Sequence, residues 1–96
     1  MQARILEAKA NLDSVGGVIE TMAINLPAGI GAPYFDSLES RLAHMLFSVP
    51  AVKGLEFGAG FGITQMTGSA ANDEMHYVKG QVKTISNNHG GITGGI

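Results

Sequence analysis

The residues with the most chemistry to offer close the sequence: Ser86, Asn87, Asn88, His89, Gly90, Gly91, Ile92, Thr93, Gly94, Gly95 and Ile96. Four of the chain's 14 glycines fall here, as two adjacent pairs. Glycine weakens helix and strand interiors alike, so the run is not the middle of a regular element. It does permit positive φ, and it lets backbone come close to something flat. Asn87 and Asn88 tolerate left-handed backbone and carry amide donors and acceptors. The chemistry implied is binding, by a backbone-lined, side-chain-poor cradle over residues 86–96. A flexible glycine-rich terminus has a similar composition. Flexible linkers, however, are padded with Ser, Lys, Glu or Pro, whereas here Ile92 and Ile96 are interleaved.

Other groups are weaker. Asp73, Glu74 and His76 are metal-ligand types within four residues. No second cluster completes a coordination set, and a solvated loop has the same composition, so no metal is expected. Gly58-Ala59-Gly60-Phe61-Gly62 follows an apolar stretch, but its third glycine comes one residue early for a dinucleotide fingerprint, and no amphipathic helix follows. His44 reads as a surface or edge histidine. His89 stands inside the glycine run without a carboxylate neighbour in sequence, which is thin support for acid–base work. No Ser/His/Asp arrangement is readable.

The composition bounds the rest. Ninety-six residues make at most one domain. Hydrophobic residues reach 45%, yet charged residues are only 15%, against an ordinary share of about 25%. Such a chain has too few charges to keep all its faces wet, so covering by more chain or by identical subunits is expected. A net charge of −2 and scattered Lys and Arg argue against nucleic-acid binding. The absence of Cys excludes a disulfide scaffold, Cys-ligated zinc and thiol catalysis. No run approaches the roughly 20 apolar residues of a membrane span. Met1–Lys9 carries Glu7 and lacks the apolar core of a signal peptide, so a cytoplasmic location is expected.

The elements that must position the run follow from periodicity. Ile5, Ala8 and Leu12 share one face of a helix over 2–12. Val18, Met22, Ile24 and Leu26 share one face of a strand over 14–26. Pro27, Gly29, Gly31 and Pro33 make a turn-rich loop. Asp36, with Glu39 three residues on, predicts a capping box for a helix ending before Pro50. Its apolar stripe is Phe35, Leu38, Leu42, Met45, Leu46 and Val49. Residues 51–57 read as a strand, 70–80 as a mobile surface loop, and 81–86 as a strand carrying Val82 and Ile85. The fold class is therefore α+β: a helix–strand–helix–strand unit with a following loop and strand. Residues 14–26, 35–49 and 51–57 are expected to pack together, with Leu38, Leu42 and Leu46 against the sheet.

Several segments together resemble chorismate synthase. Asp13-Ser14-Val15-Gly16-Gly17-Val18-Ile19-Glu20 is similar to that family's D-S-x-G-G-x-[IV]-E strand entry. Leu26-Pro27-Ala28-Gly29-Ile30-Gly31, with Pro33 and Phe35-Asp36, resembles its P-x-G-[IL]-G-x-P-x-F-D loop. Ala51-Val52-Lys53-Gly54-Leu55-Glu56-Phe57-Gly58 resembles its A-[VI]-K-G-[VI]-E-[IF]-G strand, and Gly68-Ser69 with Asp73-Glu74 its G-S-x-x-x-D-E loop. Asn87 to Ile96 resembles its N-N-A-G-G-I-x-G-G-I signature. The resemblance spans nearly all of this sequence but only an internal part of the family's longer one, making residues 1–96 a single partial domain. The family's G-E-S-H-G segment, its second catalytic histidine, its R-S-S/A-R-E segment and its late Lys, Arg and Asp segments have no counterpart here.

The resemblance implies a mixed α/β sandwich and a homotetrameric lyase of the shikimate pathway, in aromatic amino acid biosynthesis. Such an enzyme converts 5-enolpyruvylshikimate 3-phosphate to chorismate and phosphate by anti-1,4 elimination. It requires reduced FMN without net oxidation, and NADPH belongs to the same flavin chemistry. It implies no catalytic residue in this segment, since the acid–base histidines lie elsewhere. It makes Pro50 and Ala51 a flavin-contacting pair, Gly94 a flavin-contacting glycine, and Asn88 and His89 further cofactor-side candidates. Pro50 departs from the amide side chain common at its position, and having no N–H it leaves Ala51 as the donor. His89 replaces a commoner alanine. From the residues alone, a free-standing, non-catalytic α/β module that binds a ligand or partner through the glycine loop is the alternative.

Overall fold

The computed structural model describes residues 1–96. Helix α1 spans Gln2–Ala10. Its end is built by backbone alone: Leu12 N–H donates to Lys9 O at 3.1 Å and Asp13 N–H to Ala8 O at 2.8 Å. That pair of bonds is a Schellman motif, which requires a left-handed residue just past the helix. Leu12 fills this position at φ +56°, where glycine is usual.

Helix α2 spans Leu38–Phe47. Its cap is Ser37, whose Oγ accepts from Ser40 N–H at 3.1 Å, while the two hydroxyls lie 2.8 Å apart. The expected cap, Asp36, instead ends a tight turn over Tyr34–Asp36. The reason is local. The tight turn shifts the helix start by one residue, so Ser40 and not Glu39 stands three residues after the cap. The chain leaves α2 through Ser48, and Pro50 prevents any continuation.

A tight turn over Gly60–Gln65 and a single-turn helix α3 over Gly68–Ala71 lead to an antiparallel hairpin. Strand β1, Met75–Val78, pairs with β2, Gln81–Thr84, in the register Tyr77↔Val82 and Val78↔Gln81. Lys79 and Gly80 turn the hairpin at φ +48° and +82°, both positive as a two-residue type I′ turn demands. The expected mobile loop over 70–80 is thus mostly ordered structure. Its four-residue strand is too short for periodicity to register, while the Lys79-Gly80 turn between β-forming Tyr77, Val78 and Val82 was the available signal.

Two expected strands find no partner. Residues 14–31 make no backbone–backbone hydrogen bond, and every residue from 14 to 30 is exposed, Val18 at 96% and Ile19 at 93%. Residues 52–57 form no strand, although Val52, Leu55 and Phe57 are half-buried. A strand needs a neighbour to complete its ladder, and the 96 residues supply one only between β1 and β2. The expected packed unit of 14–26, 35–49 and 51–57 therefore does not form. Leu38, Leu42 and Leu46 are half-buried along α2, and Leu38 and Leu42 line with Ile30, Phe35 and Met45 an open groove of about 700 Å³. No residue is fully buried. Accessible surface is 8556 Å², where a folded 10.0 kDa monomer exposes about 5,200 Å². The radius of gyration is 17.5 Å, against about 12.5 Å for a domain of this length. No helix is long and apolar enough to cross a membrane.

The α1 cap yields a test. Leu12 is 97% exposed, so replacing it sacrifices almost no burial. Leu12→Gly removes a left-handed penalty of about 1–2 kcal/mol and returns about 0.4–1 kcal/mol to unfolded-chain entropy. A net gain of roughly 0.5 kcal/mol in α1 stability is expected from these opposing costs, seen as increased helical circular dichroism. A fall in helicity would place Leu12 in another backbone conformation.

Candidate functional site

The glycine run is held by one carboxylate. Asp73 stands two residues before β1 and Ser86 two residues after β2, so the hairpin brings them together. Ile85 N–H donates to Glu74 O at 3.0 Å and extends the ladder to the hairpin's base. There Asp73 Oδ1 accepts from Ser86 Oγ at 2.7 Å and from Asn88 N–H at 2.7 Å. Its other oxygen, Oδ2, accepts from His89 N–H at 2.8 Å. Asn88 Nδ2 donates to Ala71 O at 3.2 Å, tying the same point to α3. The Asp73 side chain is 6% exposed. Its pKa is lowered from 3.8, chiefly by the His89 N–H and further by the Ser86 hydroxyl and the Asn88 N–H, against desolvation that raises it.

Beyond this anchor the run is a series of turns. Gly90 N–H donates to Asn87 O at 3.2 Å, Ile92 N–H to His89 O at 3.3 Å and Ile96 N–H to Thr93 O at 3.5 Å. The last two turns are centred on Gly90-Gly91, at φ +67° and +80°, and on Gly94-Gly95, at φ +66° and +83°. Both central residues are positive in each, the requirement of type I′. The two glycine pairs therefore meet a backbone demand, as their spacing suggested.

The turns form a strap docked at both ends. Near its start, Ala59 N–H donates to Asn88 O at 2.8 Å. A Cβ on Gly58 would strike Asn88 O and Gly90 N. At its far end, Gly95 O accepts from Leu38 N–H at 2.9 Å, satisfying a free donor in the first turn of α2. A Cβ on Gly31 would strike the same Gly95 oxygen. Between the ends the strap is open. A Cβ on Gly94 meets nothing within 4 Å, and the N–H groups of Gly91, Thr93, Gly94 and Gly95 donate to no protein acceptor.

Asn88 and His89 are thus structural members of the strap through their backbone. The His89 ring lies with Nδ1 3.7 Å from Asp73 Oδ2, beyond a hydrogen bond, and its side chain is 33% exposed. The carboxylate neighbour missing in sequence is supplied through the fold. Pro50 and Ala51 form a separate turn, closed by Val52 N–H to Val49 O at 3.4 Å. Ala51 takes φ +71°, so Pro50 and Ala51 occupy the central positions of a type II turn with alanine where glycine is usual. None of the strap's hydrogen bonds reaches this turn. The expected pair is not brought onto the strap by these 96 residues. Sequence reasoning included Ser86 in the run but missed the roles of Asp73 as its anchor and of Gly58 as its dock. Short acceptors at the base of a hairpin are a recognisable signal only once the hairpin itself is seen. No group of three or more His, Asp or Glu side chains gathers as a metal site.

The family model described as chorismate synthase matches residues 1–96. The chorismate synthase of Dehalococcoides mccartyi is 52% identical over 96 residues, all of this chain and 26% of its own length. That of Thermococcus gammatolerans is 52% identical over 90 residues, 94% of this chain and 25% of its own. That of Roseiflexus castenholzii is 47% identical over 97 aligned residues, again all of this chain and 27% of its own. The chain thus spans about a quarter of the length of the curated relatives it matches.

Two outcomes test the anchor. Because the native pKa of Asp73 is lowered, the stability it contributes is present above the unfolded carboxylate value of about 3.9. It is lost as pH falls through the lower native value. The His89 and Asn88 amide proton resonances should move together in that acid window, and Asp73→Asn should abolish the movement; shifts that persist in the variant would assign the titration elsewhere. Gly58→Ala should release the strap, because φ +58° and the approach of Asn88 and Gly90 add a clash to a backbone cost of about 1–2 kcal/mol. Amide exchange at Ala59 should then quicken at least tenfold, and unchanged exchange would break the docking geometry.

Proposed function

The chain belongs to the chorismate synthase family, and from that premise we propose that it forms one wall of a flavin-dependent lyase site. The reaction proposed is conversion of 5-enolpyruvylshikimate 3-phosphate to chorismate. The ring's C–O bond breaks and phosphate leaves with that pair. On the opposite face a ring C–H bond breaks, its proton passes to a base and its electron pair becomes a ring double bond. The ring's existing double bond moves one position toward the carbon that loses phosphate. The observation that carries the reading is the strap: side-chain-poor backbone docked at both ends and open at Gly94.

These residues fit a planar ring. Gly94 lets backbone approach it without a Cβ between them, and the free N–H groups of Gly91, Thr93, Gly94 and Gly95 can donate to its polar edge. Asn88 and His89 fix the strap's origin. Pro50 and Ala51 are proposed to meet the same ring from their separate turn, with Ala51 as the donor. The chemistry supplied by reduced FMN, when bound, is electron density during loss of phosphate. What this chain contributes is shape, orientation and exclusion of water from one face. Proton transfer and charge neutralisation at the phosphate fall to segments outside it, because residues 86–96 contain one His and no Lys or Arg. A cytoplasmic homotetramer, with NADPH as the flavin's reductant, belongs to the same proposal.

One wall buries too little of a flavin for tight binding. The 96 residues alone are therefore expected to form no chorismate with reduced FMN under anaerobic conditions. They are expected to show no saturable FMN binding below roughly 100 μM, about −5.5 kcal/mol. The full-length protein carrying them is expected to do both. Fluorescence titration and a chorismate assay on the two proteins decide it. A micromolar site on the 96 residues would mean a complete pocket, and an inactive full-length protein would end the lyase reading.

A further inference from the structure

The anchor of the strap does more than tie down a loop end. Asp73 sits on the hairpin, whose ladder runs to Ile85 N–H and Glu74 O at the base. It binds consecutive backbone N–H groups, Asn88 through Oδ1 and His89 through Oδ2. Ser86 Oγ fixes the carboxylate's rotation by donating to Oδ1 at 2.7 Å. The peptide plane after Asn88 is held from its other side as well, where Asn88 O accepts from Ala59 N–H at 2.8 Å. This plane lies inside the turn closed by Gly90 N–H to Asn87 O, and two more turns follow in series, closing at Ile92 and Ile96. Each turn inherits its direction from the one before. The far end is held as well, by Leu38 N–H on Gly95 O at 2.9 Å, so a rotation at Asn88 and His89 is taken up between the two docking points, across Gly91–Gly94.

We propose that Asp73 is the positioning residue of the cofactor site, setting the height and tilt of Gly91–Gly95 against the flavin through the Asn88 and His89 amides. The proposal rests on the reading of the strap as a flavin-facing wall. Asp73 touches no reacting atom in this account; it acts on affinity through backbone geometry. An aspartate suits the task because its ionised carboxylate accepts only, with two oxygens for two adjacent donors. Asparagine is nearly the same size but turns one acceptor into a donor, which would face an N–H of the strap.

The test uses the full-length protein carrying this sequence, with FMN as the probe: oxidised for fluorescence titration, reduced for turnover. Asp73→Asn is expected to raise the FMN Kd at least tenfold while kcat at saturating reduced FMN stays within threefold of wild type. Asp73→Glu, which keeps the charge one methylene further out, is expected to recover part of the lost affinity. A merely structural role would lower the active fraction and leave the Kd of the surviving protein unchanged. A Kd within twofold of wild type for Asp73→Asn overturns the proposal. Should that variant fail to fold, Ser86→Ala decides, because it frees the carboxylate's rotation while leaving both amide acceptors. A two- to fivefold rise in Kd is then expected, and an unchanged Kd overturns the proposal. Wild-type protein without saturable FMN binding overturns the reading of the site itself, and its titration alone identifies that failure.

Discussion

One ionised carboxylate accepting adjacent backbone amides is the interaction on which the candidate site depends. Asp73 receives the Asn88 and His89 N–H groups and the Ser86 hydroxyl while only 6% of its side chain stays exposed. Hydrogen bonds to a charged acceptor are roughly twice as strong as neutral ones, and here they are local to one hairpin. The hairpin can therefore organise the glycine strap even though the chain around it has no buried core. Order in this molecule comes from turns, caps and one charged anchor, with apolar burial contributing little.

That balance explains which features were legible in the sequence. The glycine pairs announced positive φ, and Gly90, Gly91, Gly94 and Gly95 all take it, because glycine's lack of Cβ is a property of the residue and not of its neighbours. Helices α1 and α2 were legible for a similar reason: their bonds close within a few residues. The cap of α2 moved by one position because Ser37 and Asp36 are both competent acceptors and the turn before them chose. The strands over 14–26 and 51–57 were legible only as patterns. Their alternation reports faces meant for burial, but the partner that completes a ladder is not written in the strand itself. Asp73 was passed over as one member of a solvated acidic loop, since its partners lie 13–16 residues away and meet it only after the hairpin forms.

The low share of charged residues and the large surface are two views of the same fact. Val15, Val18, Ile19, Met22 and Ile24 lie along a segment with no backbone bonds of its own. Beside α2 an apolar groove stands open. The surface exceeds that of a compact monomer of this mass by about 3,300 Å², and the chain covers about a quarter of its relatives' length. The strap differs from these faces. Its two ends are fixed inside the chain, by Asp73 and Ala59 at one and by Leu38 at the other, while its middle N–H groups stay free.

The open side of Gly94 carries a stereochemical consequence. An L side chain there would meet no atom of this chain within 4 Å, yet φ is +66°. What the isolated chain refuses at this position is therefore handedness and not bulk. A residue of the opposite chirality would find the backbone comfortable. At Gly58 the refusal is double, because the space is taken as well. A genetically encoded protein, limited to L-residues, has one achiral residue with which to answer both demands. The same residue thus stands at two positions for different physical reasons.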